Sequence, residues 1–466
     1  MRITSIFALC SLLLSFVLSS CCSAPEAAQA STTPDWVYDA VVYEMNIRQQ
    51  TEEGTFAAAE QRLPFLKELG VDIIWLMPIH PIGVDGRKGT LGSYYSIVDY
   101  KAINPEFGTL EDFKSFLDKA HELGFKVVTD WVANHTSRDA KWWQEGKKDW
   151  YKIDPATDLP IVEYDWTDIA SLNYENADMR AAMTDALCYW IELGLDGYRC
   201  DVAYKVPADY WKEAWAAVKA INPNVYLLAE GEEDWLHECG FNTTYAWELH
   251  HMLNAMAKGG SETKNVAGDG TIKTDRKTAA DLKEYLARDA QKYVQPAMRL
   301  MFTSNHDENS WAGTEFERLG DAVKTMAALT YVLPQGQPLI YTGQEIGHND
   351  RFEFFEKDPV KAWEANEWTT FYKSLNAMRH TNPALRNGGR GGDMVYVECA
   401  NADVLAFSRE VEGNKVVAMF NLSAAEQNVA FEAAFEGYVD ALTGEAVALA
   451  KEFTMAPWEF RILVKK

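Results

Sequence analysis

Two hydrophobic periods take turns along this chain. Residues 40–47 (AVVYEMNI) form a short apolar run of strand character, and 55–69 then carry apolar residues at helical intervals until Gly70 stops them. Residues 71–78 (VDIIWLMP) are almost uninterruptedly apolar, the pattern of a parallel strand covered on both faces. The next helix spans 110–123, Gly124 ends it, and 125–129 form a third strand that runs into Asp130. The alternation continues with a helix over 183–193, a strand ending at Asp201, a helix over 207–220, and a strand over 225–229 ending at Glu230. A sixth strand near 244–247 has the faintest pattern; 297–303 and 338–342 supply the seventh and eighth.

Eight strands alternating with helices predict a (β/α)8 TIM barrel over 36–383, in which chemistry sits at the C-terminal strand ends. About 45 residues after Asp130 lack any strong period, too many for a structureless loop, and are read as a short inserted subdomain at about 131–175. Residues 259–278, polar and glycine-containing, are read as a surface excursion. From 384 to 466 short alternating segments separated by turn residues predict a C-terminal antiparallel β-sandwich domain.

The formal net charge of -25 argues against nucleic acid and anionic membrane surfaces as partners, because both would repel the chain. A neutral or cationic substrate fits better. The 16 Trp and 21 Tyr would suit stacking on sugar faces, although most such rings serve to fill a core of this size. Residues 1–20 read as a signal peptide, with Arg2 ahead of an apolar run that is too short to span a membrane. Leu18-Ser19-Ser20-Cys21 resembles a bacterial lipobox, so Cys21 is expected to be lipidated and 21–35 to serve as a tether. The expected location is therefore across the inner membrane, periplasmic or at the cell surface, attached through that lipid alone. The seven cysteines show neither paired nor zinc-ligand spacing, and Cys200 reads as a core residue.

Candidate chemistry gathers at the strand ends. Arg199 and Asp201, two apart on one strand, point to the same side, where the guanidinium would keep the carboxylate ionised. Glu230 follows 29 residues later (230 minus 201), about one β/α unit, and Asp307 follows the seventh strand beside His306. Hydrolysis of a glycosidic bond needs such a set: a carboxylate to attack the anomeric carbon, a carboxylic acid to protonate the leaving oxygen, and negative charge near an oxocarbenium-like transition state.

These residues carry a resemblance. Asp130-Trp131-Val132-Ala133-Asn134-His135, Gly197-Tyr198-Arg199-Cys200-Asp201, Ala229-Glu230 and Asn305-His306-Asp307 are similar, in order, to the four motifs of the α-amylase family of glycoside hydrolases. The resemblance implies Asp201 as nucleophile, Glu230 as acid/base and Asp307 as the acid that grips sugar hydroxyls. His135 and His306 would bind the same sugar, Arg199 would orient the nucleophile, and Tyr95 would stack on the ring. Retention of configuration, the family's outcome, implies nucleophile and acid carboxyls about 5 to 5.5 Å apart. Trp235, shortly after Glu230, is a candidate for an acceptor subsite. Asn134 matches a family calcium ligand, which makes Ca2+ a possible cofactor, but Tyr204 and Lys205 replace the Lys-His pair that many members carry after the nucleophile. The expected partner is an α-glucan such as starch, glycogen or a maltodextrin. Alternatives are a maltodextrin- or cyclodextrin-degrading glucosidase, a transglycosylase, and a non-catalytic glucan-binding lipoprotein.

Overall fold

The computed structural model describes residues 33–264, 271–294 and 296–466. The signal peptide, Cys21 and most of the tether lie outside the described residues. Eight parallel strands close a barrel: Val42–Met45 (β1), Ile73–Leu76 (β2), Lys126–Trp131 (β3), Gly197–Cys200 (β4), Tyr226–Ala229 (β5), Thr243–Tyr245 (β6), Met298–Met301 (β7) and Gly336–Tyr341 (β8). Each pairs with its neighbour in sequence, and β8 returns to β1 through Val42 opposite Leu339.

Alternation along the strands splits the core in two. Val42, Ile73, Trp75, Val128, Tyr226, Leu228, Tyr245 and Leu300 fill the barrel interior, while Tyr43, Ile74, Val127, Tyr198, Cys200 and Leu227 face the surrounding helices. Extending the interior parity to the C-terminal ends reaches Glu44, Asp130, Arg199, Asp201 and Glu230. One periodicity therefore both packs the barrel and aims five polar side chains at its mouth.

The helix expected over 55–69 is two helices, Phe56–Glu60 and Leu63–Leu69, because Pro64 in the first turn of the second lacks the N–H needed to continue the first. The helix before β4 begins earlier than its apolar pattern does, at Ala177–Glu192, where the Asn176 side chain accepts from the Met179 N–H and caps the exposed first turn. The expected excursion at 259–278 is in part a hairpin, Gly260–Lys264 against Thr271–Asp275. Between β3 and the helix before β4, two antiparallel two-stranded ribbons, His135–Ser137 with Ile169–Ser171 and Ile153–Asp154 with Leu159–Pro160, build the insertion over the mouth. After the last barrel helix, Glu367–Thr381, an antiparallel six-stranded sheet and a two-stranded ribbon enclose a smaller core of Val404, Met419, Val429, Phe431 and Met455.

Candidate active site

Arg199 is the hub of the barrel mouth. Its guanidinium is fully buried between the rings of Trp75 and Tyr245, at 5.1 and 5.4 Å from their centroids. A buried charge of this kind persists only when its donors are paired. Nε donates to the Tyr245 hydroxyl at 3.1 Å, Nη1 to Asp130 Oδ1 and Oδ2 at 2.9 and 3.1 Å and to Asp201 Oδ1 at 3.2 Å, and Nη2 forms an ion pair with Glu230 Oε2 at 3.0 Å. Asp201 and Glu230, from adjacent strands, thus hang on the two ends of one planar fork.

Val202 completes this arrangement. It adopts a left-handed backbone at φ 36° and ψ 46°, a costly conformation for a β-branched residue, and the turn directs its N–H to Glu230 Oε2 at 2.8 Å. Ala203 N–H then donates to the Glu230 carbonyl at 3.0 Å. The chain reversal after Asp201 is therefore stitched to the end of β5.

On the other side of the mouth, His306 binds Glu44 Oε1 through Nδ1 at 2.5 Å, while Nε2 lies 2.7 Å from the Tyr95 hydroxyl and 3.4 Å from Asp307 Oδ2. Tyr95 in turn donates to Asp130 Oδ2 at 3.0 Å and stacks on His306 at 5.3 Å and 22°. Burial alone would lower the His306 imidazole, but the charges of Asp307 and Glu44 outweigh it and lift it to about 9. Doubly protonated at neutral pH, the ring donates from both nitrogens, and the Tyr95 hydroxyl accepts from it while donating to Asp130.

Arg199 was expected to keep Asp201 ionised. Instead, burial first and the neighbouring Glu230 carboxylate second push Asp201 well up, and the pull of Arg199 does not offset them. Two carboxylates on one fork resist being charged together, which adds to burial in holding the Asp201 carboxyl above the usual carboxylate range. Asp307 is raised as well, by burial against the opposing charge of His306.

The structure thus brings Tyr95, Arg199, Asp201, Glu230, His306 and Asp307 together. His135 lies beside the backbone of Tyr95 and 5.7 Å from the Trp166 ring, and burial lowers it to about 4, so it is neutral. Trp235 opens the short helix Trp235–Glu238 and rests partly on the main core, while the ring of Tyr204 lies against Gly231, the residue after Glu230. Glu44, Trp75 and Tyr245 escaped the sequence reading. Glu44 had a visible signal, a charge inside the apolar run AVVYEMNI; the two aromatics look like any core ring.

The residues around Asn134 do not fit a calcium ion. Its amide donates to Glu163 Oε1 at 3.4 Å, Ser171 Oγ donates to the same oxygen at 3.2 Å, and the Lys205 ammonium forms a close ion pair with Oε2. Lys205 also lies over the Tyr164 ring at 4.2 Å. Calcium requires six to eight oxygen ligands. Here the nearby carboxylate is already neutralised by an ammonium, which would repel a dication. Burial would raise Glu163, but Lys205 and then Asn134 and Ser171 hold it below its ordinary value.

A closed parallel barrel with two carboxylates sharing a guanidinium at adjacent strand ends defines a (β/α)8 protein of the glycosidase class. The model of the alpha-amylase catalytic domain matches residues 45–165 and 148–386, and the chain belongs to the alpha-amylase family. It is 29% identical to the alpha-amylase MalA of Haloarcula japonica over 88% of this chain, although it spans only 59% of that protein's length. It is 27% identical to neopullulanase 2 of Thermoactinomyces vulgaris, over 94% of this chain and 79% of that one. The solved structure of an alpha-amylase from Lactobacillus plantarum superposes with a TM-score of 0.80 at 29% identity, covering 92% of this chain and all of that one (100%).

Proposed function

We propose that this protein is a retaining glycoside hydrolase that cleaves internal α-1,4-glucosidic bonds of starch, glycogen or maltodextrins by double displacement. The observation that carries this reading is the suspension of Asp201 and Glu230 from the single Arg199 guanidinium, at 3.2 and 3.0 Å. Asp201 attacks the anomeric carbon as Glu230 gives its proton to the departing oxygen. Glu230 then takes a proton from water, which displaces Asp201 and restores the acid. Asp307, with cationic His306 and neutral His135, binds hydroxyls of the sugar being cleaved, and Tyr95 offers it a ring. Tyr204 and Trp235, just beyond Asp201 and Glu230, line the leaving-group side. Export and attachment through lipidated Cys21 belong to the same proposal.

Chromatography of products from starch, maltoheptaose and a cyclodextrin, with wild type beside Glu230→Gln, tests this function. A ladder of maltooligosaccharides that vanishes in the variant supports it. Mainly glucose, or preference for the cyclic substrate, moves the assignment to an oligosaccharide-degrading relative. Starch bound but unaltered, with Asp201→Asn indistinguishable from wild type, makes the protein a glucan binder.

A further inference from the structure

Outside the acids, the mouth carries an aromatic cluster with one exposed ring. Trp311 is 57% exposed, and among the described residues no other tryptophan is as open to solvent. Its ring lies 5.2 Å from that of Phe354 and 5.5 Å from that of Phe355. Phe354 in turn stacks on Tyr95 at 6.3 Å and 14°, so a row of rings leads from the sugar site at Tyr95 outward to Trp311. The three contributing loops follow β2, β7 and β8, whereas Asp201 and Glu230 end β4 and β5 in the opposite half of the barrel.

A tryptophan this exposed gains little from burial, so packing does not account for its position. Polar contacts hold it there nonetheless. It belongs to the π-helical turn Glu308–Ala312, which closes where Gly313 N–H donates to the Glu308 carbonyl at 2.9 Å. Buried Asn309 in that turn accepts from Phe352 N–H at 2.9 Å and donates to the Asp350 carbonyl at 3.3 Å, clamping the β7 loop to the β8 loop. Leu91 N–H donates to the Phe355 carbonyl at 3.0 Å and ties in the loop that bears Tyr95. Such a frame presents a ring without burying it, and π-turns of this kind concentrate at functional sites. The C–H faces of pyranose rings are apolar and match an aromatic face held in advance.

We propose that Trp311, supported by Phe354 and Phe355, is a stacking platform for the glucan chain on the non-reducing side of the cleaved bond. This rests on the hydrolase reading, because the side is fixed by Glu230 protonating the leaving group in the opposite half of the mouth. The platform gives the site a preference for longer chains, since a short substrate that fills the sites around Asp201 does not reach it.

The test compares the full chain with Trp311→Ala, Trp311→Phe and a distant control, Val395→Ala, on maltotriose and on maltoheptaose labelled at its reducing end. Trp311→Ala is expected to raise KM for maltoheptaose about five- to tenfold, maltotriose changing by no more than about twofold, with Trp311→Phe largely retaining the wild-type value. Cleavage of maltoheptaose is expected to move toward positions with fewer glucose units on the non-reducing side. Equal effects on both lengths, or none, overturn the platform and leave the hydrolase reading standing. If wild type is inert on both substrates, the hydrolase reading fails. Calorimetric binding of maltoheptaose to wild type and Trp311→Ala then decides the platform alone, with equal affinities overturning it.

Discussion

Glu44 accepts a 2.5 Å hydrogen bond from Nδ1 of His306, a residue 262 positions further along the chain. The interior parity of β1 places this fully buried carboxylate under the mouth, where it orients the imidazole and, with Asp307, keeps it cationic. Glu44→Gln retains the shape and removes the charge. The titration of the His306 ring, followed by NMR, is expected to move down by about one pH unit or more in the variant. An unmoved titration would mean that Asp307 alone sets the charge of His306.

The same bond links to stability. His306 in the folded protein is raised to about 9 from an ordinary value of 6.5. Its stabilisation, on the order of 3 kcal/mol, is fully present below about pH 6.5 and is lost as pH rises toward 9. Urea unfolding at about pH 6 and about pH 9 should show this loss in wild type and a shallower one in Glu44→Gln.

Arg199→Lys keeps the charge but removes the fork. An ammonium cannot serve Tyr245, Asp130, Asp201 and Glu230 in one plane, so the two acids lose their common support. We expect kcat to fall by roughly a hundredfold or more with the barrel still folded, as judged by circular dichroism. A fall confined to KM would place Arg199 in substrate binding instead.

Lys205→Ala leaves Glu163 charged within the insertion, without its ammonium partner. Both side chains are partly exposed, so the loss is about 1 kcal/mol, read as a lowered Tm. Since Lys205 already neutralises this carboxylate, chelator is expected to change neither the activity nor the Tm of wild type. A chelator-sensitive wild type would show that a cation binds despite the lysine.

Gly197 opens β4 with φ 154°, and a Cβ there would meet the Tyr226 carbonyl oxygen at 1.9 Å. Gly197→Ala must push β4 from β5, the two strands that bring Asp201 and Glu230 together. We expect destabilisation of about 4 kcal/mol or more, with little soluble protein. A variant that folds with normal Tm would show that the two strands can part locally.

Much of the architecture was legible because strand and helix periods are local properties. The runs Ile73–Leu76 and Tyr226–Ala229 are apolar on both faces, as parallel barrel strands must be, and the two-residue spacing of Arg199 and Asp201 placed them on one side. The break at Pro64 was equally local and could have been read from the same rules.

What the chain order by itself determined is thus the number of strands, the acids at their ends and the motifs they form. Tertiary structure alone decided how those acids share charge. Arg199 meets Asp130, Tyr245 and Glu230 only because barrel closure brings β3, β4, β5 and β6 to one axis, and Asp201 is pushed up because closure also removes water. The pairing of Glu44 with His306, the ammonium of Lys205 beside Glu163, and the row from Tyr95 to Trp311 have the same origin. Each joins residues from separate β/α units, and no local period encodes a distance between units.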